Sequence, residues 1–215
     1  MSNKVVISLS HVVKSFKNTK VLDDISLTFE ASKIHGLIGR NGSGKTVLLK
    51  CICGFYHLDQ GEILVNGKKI HKEIETPQSI GVLIERPGFL PHCSAYSNLK
   101  FLASLEPSLS SERIEKCLNI VGLSSSCKKH VSKYSLGMKQ KLGIAQAIMD
   151  DPDILILDEP TNGLDNSSLV EVRQLLSSLR LQGKTIILAS HSREDISVLC
   201  DTVHEIDKGK IIEKK

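Results

Sequence analysis

Short apolar runs rich in Val and Ile alternate along this chain with longer stretches in which apolar residues recur every three or four positions. That alternation predicts strands interleaved with helices, the grammar of an α/β protein with a largely parallel sheet. Strands are predicted over residues 25–29, 34–38, 80–84, 154–157 and 185–189. The first part of the chain follows a different pattern. EILVNGKKI, residues 62–70, reads strand, Asn66-Gly67 turn, strand, which is the turn chemistry of an antiparallel hairpin. A second short turn, Asp207-Lys208-Gly209-Lys210, separates the apolar ends VHEI and IIE. Between Pro87 and Met149 the strand signal vanishes, and segments such as SAYSNLKFLASL and SERIEKCLNIVGL place apolar residues at helical spacing. This stretch is expected to be a helical subdomain set into the α/β core, with breaks at Pro107 and at Ser124-Ser125-Ser126.

Composition narrows the partners. A chain of 215 residues suits one domain with a sizeable core. The net charge of +4 is modest and the lysines are spread along the chain, so nucleic acid is not implied. No apolar run approaches the roughly 20 residues of a membrane span, so any membrane crossing is expected to belong to another chain. Six cysteines at irregular spacings, with no apolar leader after Met1, read as free thiols in a reducing cytoplasm.

The strongest chemical motif is Gly39-Arg40-Asn41-Gly42-Ser43-Gly44-Lys45-Thr46, which fits G-x-x-x-x-G-K-[ST] between a predicted strand and a predicted helix. Its glycines let backbone N–H groups curl around phosphate oxygens, and the helix N-terminus adds favourable partial charge. Lys45 is suited to β and γ phosphates, and the Thr46 hydroxyl to magnesium. ILILDEPT, residues 154–161, ends four apolar residues in two carboxylates. Successive strand residues point to opposite sides, so Asp158 and Glu159 are expected to do different work. Asp158 suits a magnesium contact, and Glu159 suits polarising the water that attacks a γ phosphate. A solvated acidic strand end is the alternative. Residues 134–147, YSLGMKQKLGIAQA, open a helix whose N-terminus is either a second anion site or simply capped. His191 follows the predicted strand TIILA, where ligands gather outside the carboxyl ends of parallel strands. In GVLIERPGFL, Glu85 stands where a buried strand should end, and such a carboxylate needs a cation or water beside it.

Taken together these residues resemble the ATP-binding cassette family, the motor subunits of ABC transporters, over essentially the whole chain. The order carries the resemblance: Walker A at Gly39 to Thr46, the signature segment at Tyr134 to Met138, Walker B ending at Asp158 with Glu159 following, the D-loop around Asp165, and the switch histidine His191. The resemblance implies a P-loop NTPase (RecA-like) core with a mainly parallel sheet, an N-terminal antiparallel β part and an inserted α-helical subdomain. The single nucleotide-binding domain 1–215 then divides into a core of 1–86 and 150–215 and a subdomain of 87–149. It implies ATP and Mg2+ as cofactors, with Thr46, Asp158 and Glu85 at the metal. Phe16 takes the place of the residue that stacks on adenine, with a core position as the alternative. The signature here is Tyr134-Ser135-Leu136-Gly137-Met138 where the family usually has Leu-Ser-Gly-Gly-Gln; Ser135 and Gly137, which contact the γ phosphate in the family, are kept. Glu85 replaces the usual Gln at the hinge into the subdomain.

Glu in this hinge and the YSLGMKQ signature are similar to the branch of bacterial ABC ATPases that serves lantibiotic immunity and bacitracin-type resistance. The implied function is an ATP-hydrolysing subunit, peripheral on the inner face of the cell membrane, that drives export of an antimicrobial peptide. Its implied partners are a second nucleotide-binding subunit, head to tail in a homodimer or heterodimer, and a separate membrane permease that docks on the PGFLP segment with Phe89 and Leu90. The competing reading is a soluble ABC-type ATPase such as those of iron–sulfur assembly. A P-loop GTPase fits less well, since no Asn-Lys-x-Asp motif is found.

Overall fold

A computed structural model describes residues 4–85, 87–105 and 109–212. Pro107, expected to break the helical stretch, and Arg86, at the expected subdomain boundary, lie outside the described residues, as do residues 1–3 and 213–215 at the ends of the expected domain. The strands are β1 (Val5–Phe16), β2 (Thr19–Glu30), β3 (Ile34–Ile38), β4 (Gln60–Val65), β5 (Lys68–Lys69), β6 (Ile80–Leu83), β7 (Ile154–Asp158), β8 (Thr185–Ala189), β9 (Thr202–Asp207) and β10 (Lys210–Ile212). The helices are α1 (Lys45–Ile52), α2 (Ala95–Ala103), α3 (Ser111–Ile120), α4 (Leu136–Ile148), α5 (Asn166–Leu181) and α6 (Arg193–Leu199).

Two sheets form. The smaller is antiparallel in the order β2-β1-β4-β5, and the larger runs β10-β9-β3-β8-β7-β6. In the larger sheet β9, β3, β8, β7 and β6 are parallel and β10 turns back along the edge. The two hairpins at β4–β5 and β9–β10 match their turn chemistry. Sequence pattern missed β1 and the first half of β2. Both strands carry register shifts, and His11 and Asp24 take left-handed backbone (φ 51 and 58), so the two-residue period that would reveal them is interrupted.

The continuous apolar runs are explained by burial on both faces of the larger sheet. Ile154, Ile156 and Ile187 pack with Leu48, Leu49 and Ile52 of α1 and with Val12, Leu22 and Ile25 of the smaller sheet. Their neighbours Leu155, Leu157, Ile186 and Leu188 face the other way, onto Leu83, Leu99, Leu142, Ile144 and Leu176. One core therefore seats the phosphate-loop helix, and the other seats α2 to α5. Helix α4 lies directly on β6: a Cβ on Gly81 would sit 1.9 Å from the Ala147 carbonyl oxygen, and one on Gly143 would sit 2.7 Å from Leu83. Because β3, β6, β7 and β8 are parallel, the segments that follow them emerge at one end of the sheet. Those segments hold Gly39, Glu85, Glu159 and His191.

Candidate functional site

The loop between β3 and α1 is shaped by what its glycines avoid. A Cβ on Gly39 would come within 2.2 Å of the Ile206 carbonyl, and Gly44, at φ 112, would bring one within 2.9 Å of the Val21 carbonyl. Only glycine lets the loop wrap this closely. Lys45 is buried, and its Nζ donates to the carbonyl oxygens of Gly39 (2.7 Å) and Arg40 (3.2 Å), folding the ammonium over the loop. Asn41 to Val47 line a pocket of about 240 Å3 with Val21, Asp158 and Glu159. Ser43 Oγ in the same loop is buried and has no hydrogen-bond partner among the described residues. An unpaired buried hydroxyl costs about 1–3 kcal/mol, and a phosphate oxygen in this concavity would relieve it.

Walker B is joined to that loop by one short bond: the Thr46 hydroxyl donates to Asp158 Oδ2 at 2.6 Å. Asp158 is buried, and the loss of hydration pushes its carboxyl above the ordinary range. The Thr46 bond and the Lys45 charge act in the opposite direction, while the charge of Glu85 adds to the rise. A buried carboxylate beside a hydroxyl is a hard-oxygen pair suited to magnesium, which takes one or two protein oxygens and fills the rest with phosphate and water. No group of three or more His, Cys, Asp or Glu that could hold a metal ion gathers among the described residues.

A stability consequence follows from the sign of this shift. The folded state holds the Asp158 proton more tightly than the unfolded state, so above the raised folded value the ionised group costs stability, and the cost fades as pH falls through it. Asp158→Asn is expected to raise the melting temperature of the nucleotide-free protein at pH 7–8, by roughly 2–4 °C for each kcal/mol relieved, and to abolish hydrolysis. The gap should close in acid. Thermal scans from pH 8 to 4 check it; a lower melting temperature at every pH would contradict it.

Glu159 leaves β7 in the left-handed region (φ 51), a strained conformation for a non-glycine residue that must be held by its surroundings. Its N–H donates to the Ala189 carbonyl at 2.8 Å. Its own carbonyl accepts from Gln140 Nε2 (2.9 Å) and from the Asn162 N–H (3.1 Å). Its side chain lines the same pocket as Asp158, and its Oε2 lies 2.8 Å from Nδ1 of His191. A carboxylate placed beside an imidazole at the rim of a phosphate pocket can accept a proton from water.

Glu85 has a partner that sequence reading did not find. It also takes left-handed backbone (φ 59), and its Oε1 pairs with Lys50 Nζ at 2.7 Å. Lys50 lies in the last turn of the phosphate-loop helix, and the bond to Glu85 raises its pKa above the ordinary lysine value. The cation that faces Glu85 in this structure is the Lys50 ammonium. Phe16 ends β1 with its ring partly exposed, edge-on to Tyr56 with centroids 5.1 Å apart, so it is neither a core residue nor part of the lining of the phosphate pocket.

The segment from Ser135 to Gly137 lies outside that pocket. Ser135 caps α4, its hydroxyl accepting from the Met138 N–H at 3.2 Å, and it is exposed. Neither Ser135 nor Gly137 lines the phosphate pocket. A Cβ on Gly137 would lie 2.9 Å from the Gly163 carbonyl, so the signature segment rests on the D-loop of its own chain. Asp165 caps α5 by accepting from the Ser168 N–H and the Ser167 hydroxyl, both at 2.8 Å; the Ser168 bond leads in holding its carboxyl down at about 2. Residues that motif reading passed over are Lys50, Gln140, Arg173 and Asp195, none of which stands in a phosphate- or metal-binding pattern.

Comparison with known proteins agrees with this geometry. Residues 22–162 match the ABC transporter family. An uncharacterized ABC transporter ATP-binding protein, YybJ of Bacillus subtilis, is 44% identical over 96% of this chain and 94% of its own length. The bacitracin transport ATP-binding protein BcrA of Enterococcus faecalis is 39% identical over 100% of this chain and 70% of its own length. The lantibiotic transport ATP-binding protein SrtF of Streptococcus pyogenes is 35% identical over 98% and 90%. Among solved structures, the dimeric post-hydrolysis state of the ATP-binding cassette MJ0796 bound to ADP and Pi superposes with a TM-score of 0.87 at 21% identity, covering 97% of each chain, which supports the fold. Family match, fold and phosphate pocket converge: the chain belongs to the ABC transporter family, as an ATP-binding subunit that hydrolyses ATP.

Proposed function

We propose that this chain drives export of an antimicrobial peptide of the bacitracin or lantibiotic kind, with a second nucleotide-binding subunit arranged head to tail and a separate membrane permease. The observation that carries the dimer is the division of the two anion sites: a phosphate pocket with an orphaned Ser43 hydroxyl, and an exposed Ser135–Gly137 segment that does not reach it. Each chain supplies half of two centres. Residues 39–46 hold the phosphates, Phe16 the adenine, and Thr46 and Asp158 the magnesium ion, whose charge offsets that of the transferring phosphate. Glu159 takes the proton of the attacking water, and His191 orients the carboxylate and the γ phosphate. Asp165 shapes the approach of the partner chain. Glu85 serves the metal by leaving Lys50, so its side chain reports nucleotide state to the helical subdomain.

No helix among the described residues is long and apolar enough to cross a membrane. The membrane crossing therefore falls to the permease, with this chain on the cytoplasmic face. A cleft of about 290 Å3 beside the hinge is lined by Pro87, Phe89, Leu90, Phe101 and Leu102, with Phe101 and Leu90 exposed. That cleft, lined wholly by residues of the subdomain (87–149) where it leaves the core (1–86, 150–215), is where the permease docks. The peptide assignment is supported by the named transport functions of BcrA and SrtF, which align along nearly the whole of this chain. Inhibitory concentrations of bacitracin and lantibiotics in cells lacking the chain test it. Sensitisation is expected, reversed by the wild-type chain and not by Glu159→Gln; unchanged sensitivity to every such peptide would refute peptide export.

A further inference from the structure

Two loops at the end of the sheet are joined twice. The first junction is the pair of Glu159 and His191, whose side chains are 24% and 65% exposed, so solvent competes for it. The second lies just below and is buried. Thr161, two residues beyond Glu159, donates its hydroxyl to Asp195 Oδ2 at 2.7 Å. Asp195 lies four residues beyond His191 and is 1% exposed. Its other oxygen accepts from Nε and Nη2 of Arg173 on α5, at 2.8 and 2.5 Å. The remaining Arg173 nitrogen, Nη1, donates to Glu194 at 2.9 Å. The Ser192 hydroxyl caps the Asp195 N–H at 3.2 Å, and the Ser190 hydroxyl accepts from the Ser192 N–H at 3.0 Å. The Thr161 bond ties the loop after β7 to α6, the Ser192 cap ties the loop after β8 to α6, and the Arg173 bonds tie α6 to α5.

We infer that Thr161, Asp195 and Arg173 are positioning residues for hydrolysis, setting the separation between the Glu159 carboxylate and the His191 imidazole. The inference rests on the reading of Glu159 and His191 as the groups that act at the γ phosphate. A buried charge satisfied from two elements has one geometry, whereas the exposed pair above it does not choose one unaided. Fixing the lower crosslink fixes the upper one, because only one residue of chain separates Glu159 from Thr161 and only three separate His191 from Asp195. None of the three cluster residues lines the phosphate pocket, so nucleotide affinity does not depend on them.

Steady-state ATP hydrolysis by Thr161→Val and Thr161→Ser tests this. Valine keeps the volume and removes the hydroxyl; serine keeps the hydroxyl. In Thr161→Val, kcat is expected to fall roughly tenfold to a hundredfold, the scale of a small misplacement of reacting groups, with KM for ATP within about twofold. Thr161→Ser is expected to keep most of the wild-type kcat. Arg173→Lys supplies a second route: a lysine cannot reproduce the forked contact, so the same loss of kcat at constant KM is expected. Wild-type kcat in both Thr161→Val and Arg173→Lys, or an equal loss in the valine and serine variants, would overturn the inference. Glu159→Gln is measured alongside. Inactivity there with full activity in both Thr161→Val and Arg173→Lys removes the positioning role alone, and wild-type turnover in Glu159→Gln removes both the role and the reading beneath it.

Discussion

Glu159→Gln is expected to bind ATP as well as the wild-type chain, to hydrolyse it roughly 10²–10⁴-fold more slowly, the range for loss of a general base, and to accumulate as a nucleotide-bound dimer. Glutamine has the size of glutamate, and its amide oxygen can still accept a hydrogen bond from His191, so the side chain keeps its place. The backbone contacts that hold the turn, from Glu159 to Ala189 and from Gln140 and Asn162 to Glu159, involve no side-chain atom of residue 159. What is lost is a group able to take a proton from water. The substitution also removes a negative charge from the rim of a pocket built for phosphate, so the ATP-bound closed form should persist. Equilibrium nucleotide binding, single-turnover hydrolysis and size-exclusion chromatography with light scattering check the three parts separately. Turnover at the wild-type rate would remove Glu159 from the reaction.

Replacements at Ser135 separate two tasks of one hydroxyl. In the isolated chain it caps α4, and Ser135→Ala is expected to cost about 1 kcal/mol of stability. In the proposed dimer the same hydroxyl lies against the γ phosphate bound by the partner subunit. A hydrogen bond to a charged group contributes about 1.5–3 kcal/mol, so turnover should fall roughly tenfold to a hundredfold. Ser135→Asp is the sharper variant. Aspartate caps a helix as well as serine does, so stability should be retained, yet its charge would oppose a phosphate and turnover should fall below that of Ser135→Ala. Affinity of the monomer for nucleotide should be unchanged in both, since Ser135 does not line its own phosphate pocket. Full activity in Ser135→Asp, or a matching loss of monomer affinity, would place this segment outside the partner's centre.

The parts of the molecule legible in the sequence are those set by local chemistry. Strands β3, β7 and β8 show themselves because both of their faces are covered, so nearly every residue is apolar. The cap Ser135 stands just before the helical pattern of residues 134–147, where its side chain satisfies an N–H group of the first turn. The phosphate loop announces its own geometry through glycine. Strand β1 stays hidden because its bulges scramble the period that identifies strands. The residues that steady the site are hidden for another reason. Lys50 meets Glu85 across the hinge, Gln140 reaches the Glu159 carbonyl from another helix, and Arg173 meets Asp195 between α5 and α6. Each is an ordinary polar residue until the fold supplies its partner, so a motif identifies the groups facing the ligand and leaves out those that hold them still.

The central claim is that one chain carries half of each of two catalytic centres. Mixing two inactive chains tests it directly: Lys45→Met, which loses the phosphate loop's cation but keeps Ser135, and Ser135→Asp, which keeps the phosphate loop. Head-to-tail pairing gives the mixed dimer one intact centre, formed by the phosphate loop of the Ser135→Asp chain and the signature segment of the Lys45→Met chain. ATP hydrolysis is therefore expected to reappear on mixing, well above the sum of the separate rates. A mixture no faster than that sum would contradict the account and mean that each centre is completed within a single chain.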